Sequence, residues 1–225
     1  MANRPIHVSC LSAVSVALLA FAQACGDQSR GNSPDRKVDS VYNKKTGRLE
    51  LLKYDSDGDG KFDTFSYMDG STVLRIEIDR DEDGKIDRWE YYGPGKLLER
   101  VALSRAQNGV ADTWQYFDGA GAIARVEMAE QGASNKARLE RIEYYEKGVI
   151  VRAEEDTDHD GKIDKWETYE DNRLASVGFD ERRRGVPTRR ILYAADGAAR
   201  IEVDAGGDGH FVEQSSVQKE TRRSQ

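Results

Sequence analysis

Cysteine and histidine are scarce in this chain. Among 225 residues there are two cysteines, Cys10 and Cys25, and three histidines, His7, His159 and His210. Cys10 lies in an apolar N-terminal stretch, so a chain that has lost this stretch has no pair of cysteines to join in a disulfide. The histidines have no cysteine or serine partner in an order typical of a nucleophilic active site. The sequence therefore offers no candidate catalytic residue, and any internal cross-link must use something other than sulfur.

Apolar residues and positive charge are also in short supply. Hydrophobic residues make up 38% of the chain, including the apolar N-terminal stretch, which favours a thin or elongated architecture over a thick core. The net charge is −7, which argues against nucleic acid as a partner because phosphate binding needs a basic surface. The arginine-rich segment Arg182–Arg190 is a local exception, and we interpret it as a solvated or salt-bridged patch.

The N-terminal segment has the features of a targeting signal. An apolar run from Leu11 to Ala22 is too short to span a bilayer and is followed by Gln23-Ala24-Cys25. This resembles the lipobox of bacterial lipoproteins, with Ala22 where leucine is commonest. The resemblance implies a signal peptide over 1–24, lipidation of Cys25, and a membrane anchor in the bacterial cell envelope, followed by a flexible tether over 25–38. The alternative is an ordinary secretory signal cleaved near Ala24, which would leave Cys25 as an unpaired thiol.

An aspartate-rich pattern recurs along the rest of the chain. Repeats begin at Asp55, Asp79, Ser104, Asp156, Asp180 and Asp204, separated by 24 or 25 residues except for a 52-residue interval after Ser104. That interval has room for one more, degraded unit starting near Ala129. A fixed period of this length is typical of repeat architectures.

Each repeat has the pattern of a loop followed by a β-hairpin. The segment Ile86–Tyr92 alternates aromatic, apolar and charged residues with the period of a strand. Asp69-Gly70, Asp118-Gly119 and Asp196-Gly197 are typical of two-residue hairpin turns. Because every connection is short, neighbouring strands must be antiparallel.

We therefore predict an all-β fold. It is an elongated antiparallel β-meander of about 24-residue hairpin repeats over 39–213, in a twisted or curled sheet with the loops along one edge. A polar tail occupies 214–225. The hairpin-plus-loop unit resembles the YD-type and MORN-type repeats of bacterial arrays.

Three of the loops concentrate carboxylates at alternate positions. Side chains of like charge at this spacing repel one another, and a hard divalent cation is the simplest group that would hold them together. The nine-residue pattern resembles the calcium loop of EF-hands and dockerins. That resemblance implies Ca²⁺ ligands at positions 1, 3, 5 and 9 and at the carbonyl of position 7. These residues are Asp55, Asp57, Asp59, Lys61 and Asp63; Asp79, Asp81, Asp83, Lys85 and Asp87; and Asp156, Asp158, Asp160, Lys162 and Asp164.

Other positions are weaker candidates for the metal shell. Glu90 and Glu167 match the position-12 glutamate of an EF-hand, but a strand would place them about 10 Å beyond position 9 and on the opposite face. The copy at Asp204 keeps only Asp204 and Asp208. At the Asp180 copy, Arg182 and Arg184 stand at positions 3 and 5, where we expect their charge to replace a metal by pairing with acids.

Two classes of function fit these features. The first is a lipid-anchored, calcium-binding scaffold or adhesion protein that binds an unidentified protein or glycan, with calcium in a structural role. The second is an envelope enzyme acting on polysaccharide, with calcium-stabilised loops. The first is favoured because a catalytic site needs one unrepeated constellation, and the sequence has none. Turnover of a glycan that is lost on substituting one carboxylate outside the loops would favour the enzyme.

Overall fold

The fold is all-β, as the sequence predicts. A computed structural model describes residues 36–131 and 137–214, and in these two ranges the only helical element is a 3-10 turn at Pro94–Lys96. No helix in this part of the chain is long and apolar enough to cross a membrane. The strands are β1 Val38–Tyr42, β2 Leu49–Tyr54, β3 Thr64–Asp69, β4 Thr72–Ile78, β5 Arg88–Tyr92, β6 Leu98–Leu103, β7 Thr113–Phe117, β8 Ile123–Gln131, β9 Ala137–Glu146, β10 Val149–Glu155, β11 Lys165–Glu170, β12 Arg173–Phe179, β13 Arg189–Tyr193, β14 Ala199–Val203 and β15 Val212–Glu213.

All 15 strands form one open sheet in which the spatial order is the order of the sequence. Each strand pairs antiparallel with the strand before it and the strand after it, which confirms the predicted meander of hairpins. The nine-residue loops therefore all leave the sheet at one end of the strands, and the hairpin turns at the other. We call the first of these ends the loop edge.

One face of the sheet carries an aromatic row and is called here the tryptophan face. Register partners share a face, and across β5, β6 and β7 the partners are Trp89, Ala102 and Trp114. A parallel row of tyrosines and arginines lies two residues away along each strand. Arg75 stacks 4.2 Å from the ring centre of Tyr67, and Arg125 stacks equally close to Tyr116. The guanidinium groups thus cover aromatic rings that would otherwise be open to solvent.

The opposite face is called the glutamate face and contains most of the small buried core. Val101 and Ala153 are fully buried there, and Val126 and Val177 nearly so. Their register partners on neighbouring strands include Glu90, Glu143 and Glu167, whose carboxylates accept hydrogen bonds from tyrosine hydroxyls such as that of Tyr169. Small apolar residues are therefore shielded by larger polar neighbours, which suits a chain with few hydrophobic residues.

Two of the three predicted hairpin turns are wrong in detail. Gly70, with φ of 64°, does lie in a two-residue turn between β3 and β4. At the second turn, by contrast, the Asp118 N–H donates to the Ala122 carbonyl. At the third, the Ala194 N–H donates to the carbonyl of Ala198. Asp118 and Asp196 thus lie in longer turns, where their carboxylates accept backbone N–H groups.

The unit expected near Ala129 keeps its first position but has no nine-residue loop. Ala129 is buried, and its N–H donates to the Asp112 carbonyl, the same bond that Asp79 makes to Asp63. Strands β8 and β9 then extend past the loop edge to Gln131 and Ala137. The long interval between Ser104 and Asp156 is thus accounted for by a lengthened hairpin.

Candidate metal loops

The backbone brings the first and ninth positions of each loop together. In the first loop the Asp63 N–H donates to the Tyr54 carbonyl, and the Asp63 carbonyl accepts from the N–H of Asp79 in the next loop. The same pair of bonds recurs at Asp87 and at Asp164. The strand pairing therefore continues to the base of each loop, and the loop connects the two paired strands. This places the side chains of positions 1 and 9 next to each other.

Side chains fix the shape of each loop from inside. The position-1 carboxylate of Asp79 accepts from the N–H of Gly84 at position 6, where φ is 86° and only glycine is relaxed. The position-9 carboxylate of Asp87 accepts from the N–H of Arg80 at position 2. The position-5 carboxylate of Asp83 accepts from the N–H of Lys85. The other two acidic loops repeat these bonds.

Positions 1, 3 and 9 are the carboxylates that the fold gathers. In each acidic loop one oxygen from each of these three residues lies within 4.8 Å of the others. The three groups are Asp55, Asp57 and Asp63; Asp79, Asp81 and Asp87; and Asp156, Asp158 and Asp164. The position-5 carboxylates, which are those of Asp59, Asp83 and Asp160, are not part of these groups.

The position-5 and position-7 side chains interact with each other in two of the loops. The Lys61 ammonium lies 3.0 Å from Asp59, and the Lys85 ammonium contacts Asp83. The pKa of Asp59 is lowered, first by the backbone N–H of Lys61 and then by its ammonium. The lysine side chains thus neutralise position 5, while the role assigned to Lys61, Lys85 and Lys162 by the calcium-loop resemblance belongs to their carbonyls.

The donor set fits a hard cation. Asp55 is fully buried, and Asp79 and Asp156 are 7% and 2% exposed. Asp79 Oδ1 is shielded from solvent and accepts no hydrogen bond. A buried carboxylate oxygen without a partner is costly, and a cation at the centre of Asp79, Asp81 and Asp87 would satisfy it. An all-oxygen group of this kind suits Ca²⁺ or Mg²⁺ rather than a softer metal.

The degraded loops keep the backbone shape with different side chains. In the third loop Arg105 Nε lies 3.1 Å from Asp112 Oδ1. Burial raises the pKa of Asp112, but the backbone N–H and guanidinium of Arg105 lower it more, and the net shift is downward. In the last loop Asp204 accepts from the N–H groups of Gly207 and Gly209. Within the described ranges no group of three metal-ligating side chains forms around Asp204 and Asp208.

The arginine-rich loop differs from the expectation in one respect. Among the described residues neither Arg182 nor Arg184 forms an ion pair with a carboxylate. Their guanidinium groups donate instead to the carbonyls of Ala205 and Gly206 in the following loop. The charge of Arg184 acts on Asp204 of that loop only at longer range. Arginine side chains are long enough to reach the next repeat, and its exposed carbonyls are the nearest acceptors. The residue between them, Arg183, forms the ion pair instead, with Asp158 of the preceding loop.

Glu90 and Glu167 lie within strands on the glutamate face, away from the gathered carboxylates. Glu90 accepts from Arg88 and Tyr92. Glu167 lies 2.7 Å from Arg141 and 2.8 Å from Lys165. Burial raises the pKa of Glu167, but hydrogen bonds from Lys165, Arg141 and Tyr169 outweigh it and lower the pKa to about 2. Both glutamates thus have basic and hydroxyl hydrogen-bond partners on the glutamate face, and neither lies near a gathered group of aspartates.

Two features of the site were not evident from the sequence. One is the cluster around Arg141 in β9, which contacts Glu143 on its own strand, Glu155 on β10 and Glu167 on β11. The other is the contact that a position-4 side chain, such as that of Arg183, makes with the preceding repeat. Both depend on register across strands, and a repeat alignment that includes position 4 would have been needed to find the second.

Comparison with known proteins gives little further guidance. No family model and no curated protein matches the sequence. Among solved structures, the chain is similar to part of the crystal structure of accessory secretory protein 1, 2 and 3 from Streptococcus pneumoniae. The TM-score is 0.34 and the identity 12%, over 48% of this chain and 19% of that one, so the likeness spans about a fifth of that chain. The function proposed below therefore rests on the loops.

Proposed function

We propose that this protein is a calcium-stabilised β-repeat scaffold of the bacterial cell envelope, anchored by lipid at Cys25, that binds a protein or glycan partner. The observation that carries the calcium part is the gathering of positions 1, 3 and 9 in three loops, with one buried carboxylate oxygen left without a hydrogen bond. The bound ion would neutralise charges that the fold forces together. We assign the ion a structural role because the loop recurs along the chain, whereas a catalytic site needs one unrepeated constellation.

The three acidic loops supply similar first shells. Asp79, Asp81 and Asp87 would hold the ion in the second loop, and the corresponding residues would do so in the other two. Extracellular calcium loops bind with dissociation constants of about 10⁻⁴–10⁻³ M, which suits a structural ion outside the cell. An intracellular signalling role would need tighter sites.

Tryptophan fluorescence tests calcium binding directly. Trp89 and Trp166 each lie two residues beyond a position-9 aspartate, on the face to which positions 1 and 9 point. We expect Ca²⁺ to change the emission of both tryptophans, and we expect this change to saturate at millimolar calcium or below. Trp114 follows the degraded loop at Ser104 and is the internal control, so a Trp89→Phe/Trp166→Phe variant should respond little. A calcium titration of the protein that changes neither the tryptophan emission nor the heat of mixing would contradict calcium binding.

Cys25 lies outside the described residues, and the anchor rests on the sequence motif. We expect the full-length protein to partition with membranes and to incorporate labelled fatty acid, because an acylated cysteine adds buried hydrocarbon to an otherwise polar N-terminus. Cys25→Ser should abolish the label and release the protein. Cys10→Ser should change neither, because Cys10 lies within the leader. Equal membrane retention of wild type and Cys25→Ser would contradict the anchor.

We assign partner binding to the tryptophan face. The tryptophan face combines indole rings with a row of tyrosines and arginines across β3 to β10, which offers stacking and hydrogen bonding over a long surface. Aromatic and arginine side chains of this kind are enriched where proteins bind partners.

A further inference from the structure

The fourth residue of each loop has one conformation throughout the array. Its φ is positive whatever the residue type: Gly58 86°, Glu82 57°, Gln107 50°, His159 59°, Arg183 55° and Gly207 72°. This left-handed conformation is unusual for residues other than glycine, so the loop imposes it. The position-4 side chains of Glu82, His159 and Arg183 all reach back to the preceding repeat, where they contact Lys61, Glu140 and Asp158 respectively.

Two of these contacts reach an acidic loop with opposite charges. Glu82 lies 2.9 Å from the Lys61 ammonium, and a Glu82 oxygen is within 4.8 Å of carboxylate oxygens of Asp57 and Asp59. Arg183 lies 2.7 Å from Asp158 Oδ2, and Asp158 is the position-3 member of the group with Asp156 and Asp164. The first acidic loop thus receives an extra carboxylate from its neighbour, and the last receives a guanidinium.

We propose that the fourth residue of each loop sets the calcium affinity of the loop before it. The inference rests on the proposed calcium binding and adds a rank order to it. Glu82 adds negative charge beside Asp57, which strengthens attraction for a divalent ion. Arg183 holds a carboxylate that the ion needs and repels the ion as well. The loop at Asp55 therefore binds calcium more tightly than the loop at Asp156, although both carry four aspartates at the same positions.

Arg183 acts as a competitor that can be displaced. Its side chain is 71% exposed and that of Asp158 is 39% exposed, so the guanidinium can move into solvent when an ion arrives. An exposed ion pair of this kind lowers the affinity by a modest factor, about fivefold. Because both groups are solvated, the effect shrinks as salt screens their charges.

The test uses Trp166 as the only reporter, in a Trp89→Phe/Trp114→Phe background. Phenylalanine is compatible with that row of the sheet, since Phe65 lies in it on β3. Arg183→Gln should lower the calcium dissociation constant at the Asp156 loop about fivefold. Glutamine fits the backbone, since Gln107 adopts the same conformation in the third loop. Arg183→Glu, which imitates Glu82, should lower the constant further.

Arg182→Gln is the matched control. It removes the same charge one residue away, but Arg182 contacts the Ala205 carbonyl on the side of the following loop. We expect it to leave the dissociation constant within about twofold. The reciprocal arm uses Phe65→Trp as the only reporter, in a background that carries Trp166→Phe as well as Trp89→Phe and Trp114→Phe, and there Glu82→Gln should weaken calcium binding to the Asp55 loop.

The outcomes separate this inference from the proposed function. A calcium response of Trp166 that is the same in Arg183→Gln and Arg182→Gln would overturn the inference and leave calcium binding intact. Absence of any calcium response in every variant would overturn both. Tighter binding in Arg183→Gln, with a difference that disappears at about 1 M salt, would support the position-4 contact as the cause.

Discussion

Removing calcium is expected to lower the midpoint of thermal unfolding by about 8–16 °C. At free calcium about ten times the dissociation constant, each occupied loop adds roughly 1.4 kcal/mol to the free energy of unfolding. The three acidic loops together add about 4 kcal/mol, against a typical total of about 5–15 kcal/mol. Scanning calorimetry in calcium and in excess chelator measures the difference. Unchanged midpoints would mean that the gathered carboxylates do not hold calcium.

A loop-specific variant shows whether the second loop accounts for its share of that difference. Asp79→Asn/Asp81→Asn keeps side-chain oxygens that accept from the N–H groups of Gly84 and Asp83, but it removes two charges. It should lose about a third of the calcium-dependent stabilisation. Asp180→Asn is the control, because Asp180 makes the equivalent bond to Gly185 in the loop that carries arginines. It should lower stability equally with and without calcium.

Arg141→Met is expected to destabilise the fold by about 2 kcal/mol, between the ranges for exposed and for buried ion pairs, because the Arg141 side chain is half-buried. Arg141 is the cation shared by Glu143, Glu155 and Glu167, at 2.9, 2.9 and 2.7 Å. Methionine retains much of the apolar stem, but it leaves Lys165 as the ammonium partner of Glu155 and Glu167. Glu143 then keeps the hydrogen bond from the Tyr145 hydroxyl. Denaturant unfolding in the presence of chelator measures the loss without a contribution from the loops.

Glu167 determines how the stability lost in Arg141→Met depends on pH. Its pKa is about 2 in the folded protein against 4.5 in the unfolded chain, so its interactions stabilise the fold fully above about 4.5 and less as pH falls toward 2. Without Arg141 the pKa of Glu167 is lowered less. The difference in free energy of unfolding between wild type and Arg141→Met should therefore become smaller as the pH falls below 4.5. Arg125→Met removes a more exposed pair with Glu127 and should cost about 1 kcal/mol or less. Equal costs for the two variants would contradict a special role for the Arg141 cluster.

The repeat pattern was sufficient to predict the order and pairing of the strands. Short connections leave each strand little choice of partner, so the register of a pair such as Glu77 with Trp89 follows from the loop between them. Turn types were less predictable, because Asp118-Gly119 suits more than one turn and the flanking strands decide. The glycine with positive φ there is Gly121, two residues later.

The candidate site also has features that the sequence predicts and features that it does not. Positions 1, 3 and 9 meet because local hydrogen bonds close the loop, and their spacing in the sequence is enough to predict them. Contacts between repeats are different: Arg183 reaches Asp158 across 25 residues, and Arg141 reaches Glu167 across 26. Such pairs depend on the directions in which side chains of neighbouring repeats point, and no local pattern in the sequence specifies those directions.

The strictly sequential strand order also bears on how the chain acquires its structure. Every strand needs only the strand made just before it and the one made just after it. Low separation between contacting residues favours rapid folding, and hairpins form on a timescale of about 1–10 μs. A chain that emerges from its N-terminus can therefore add one hairpin at a time to an already paired edge. The sheet can assemble during synthesis, without waiting for its C-terminal strands.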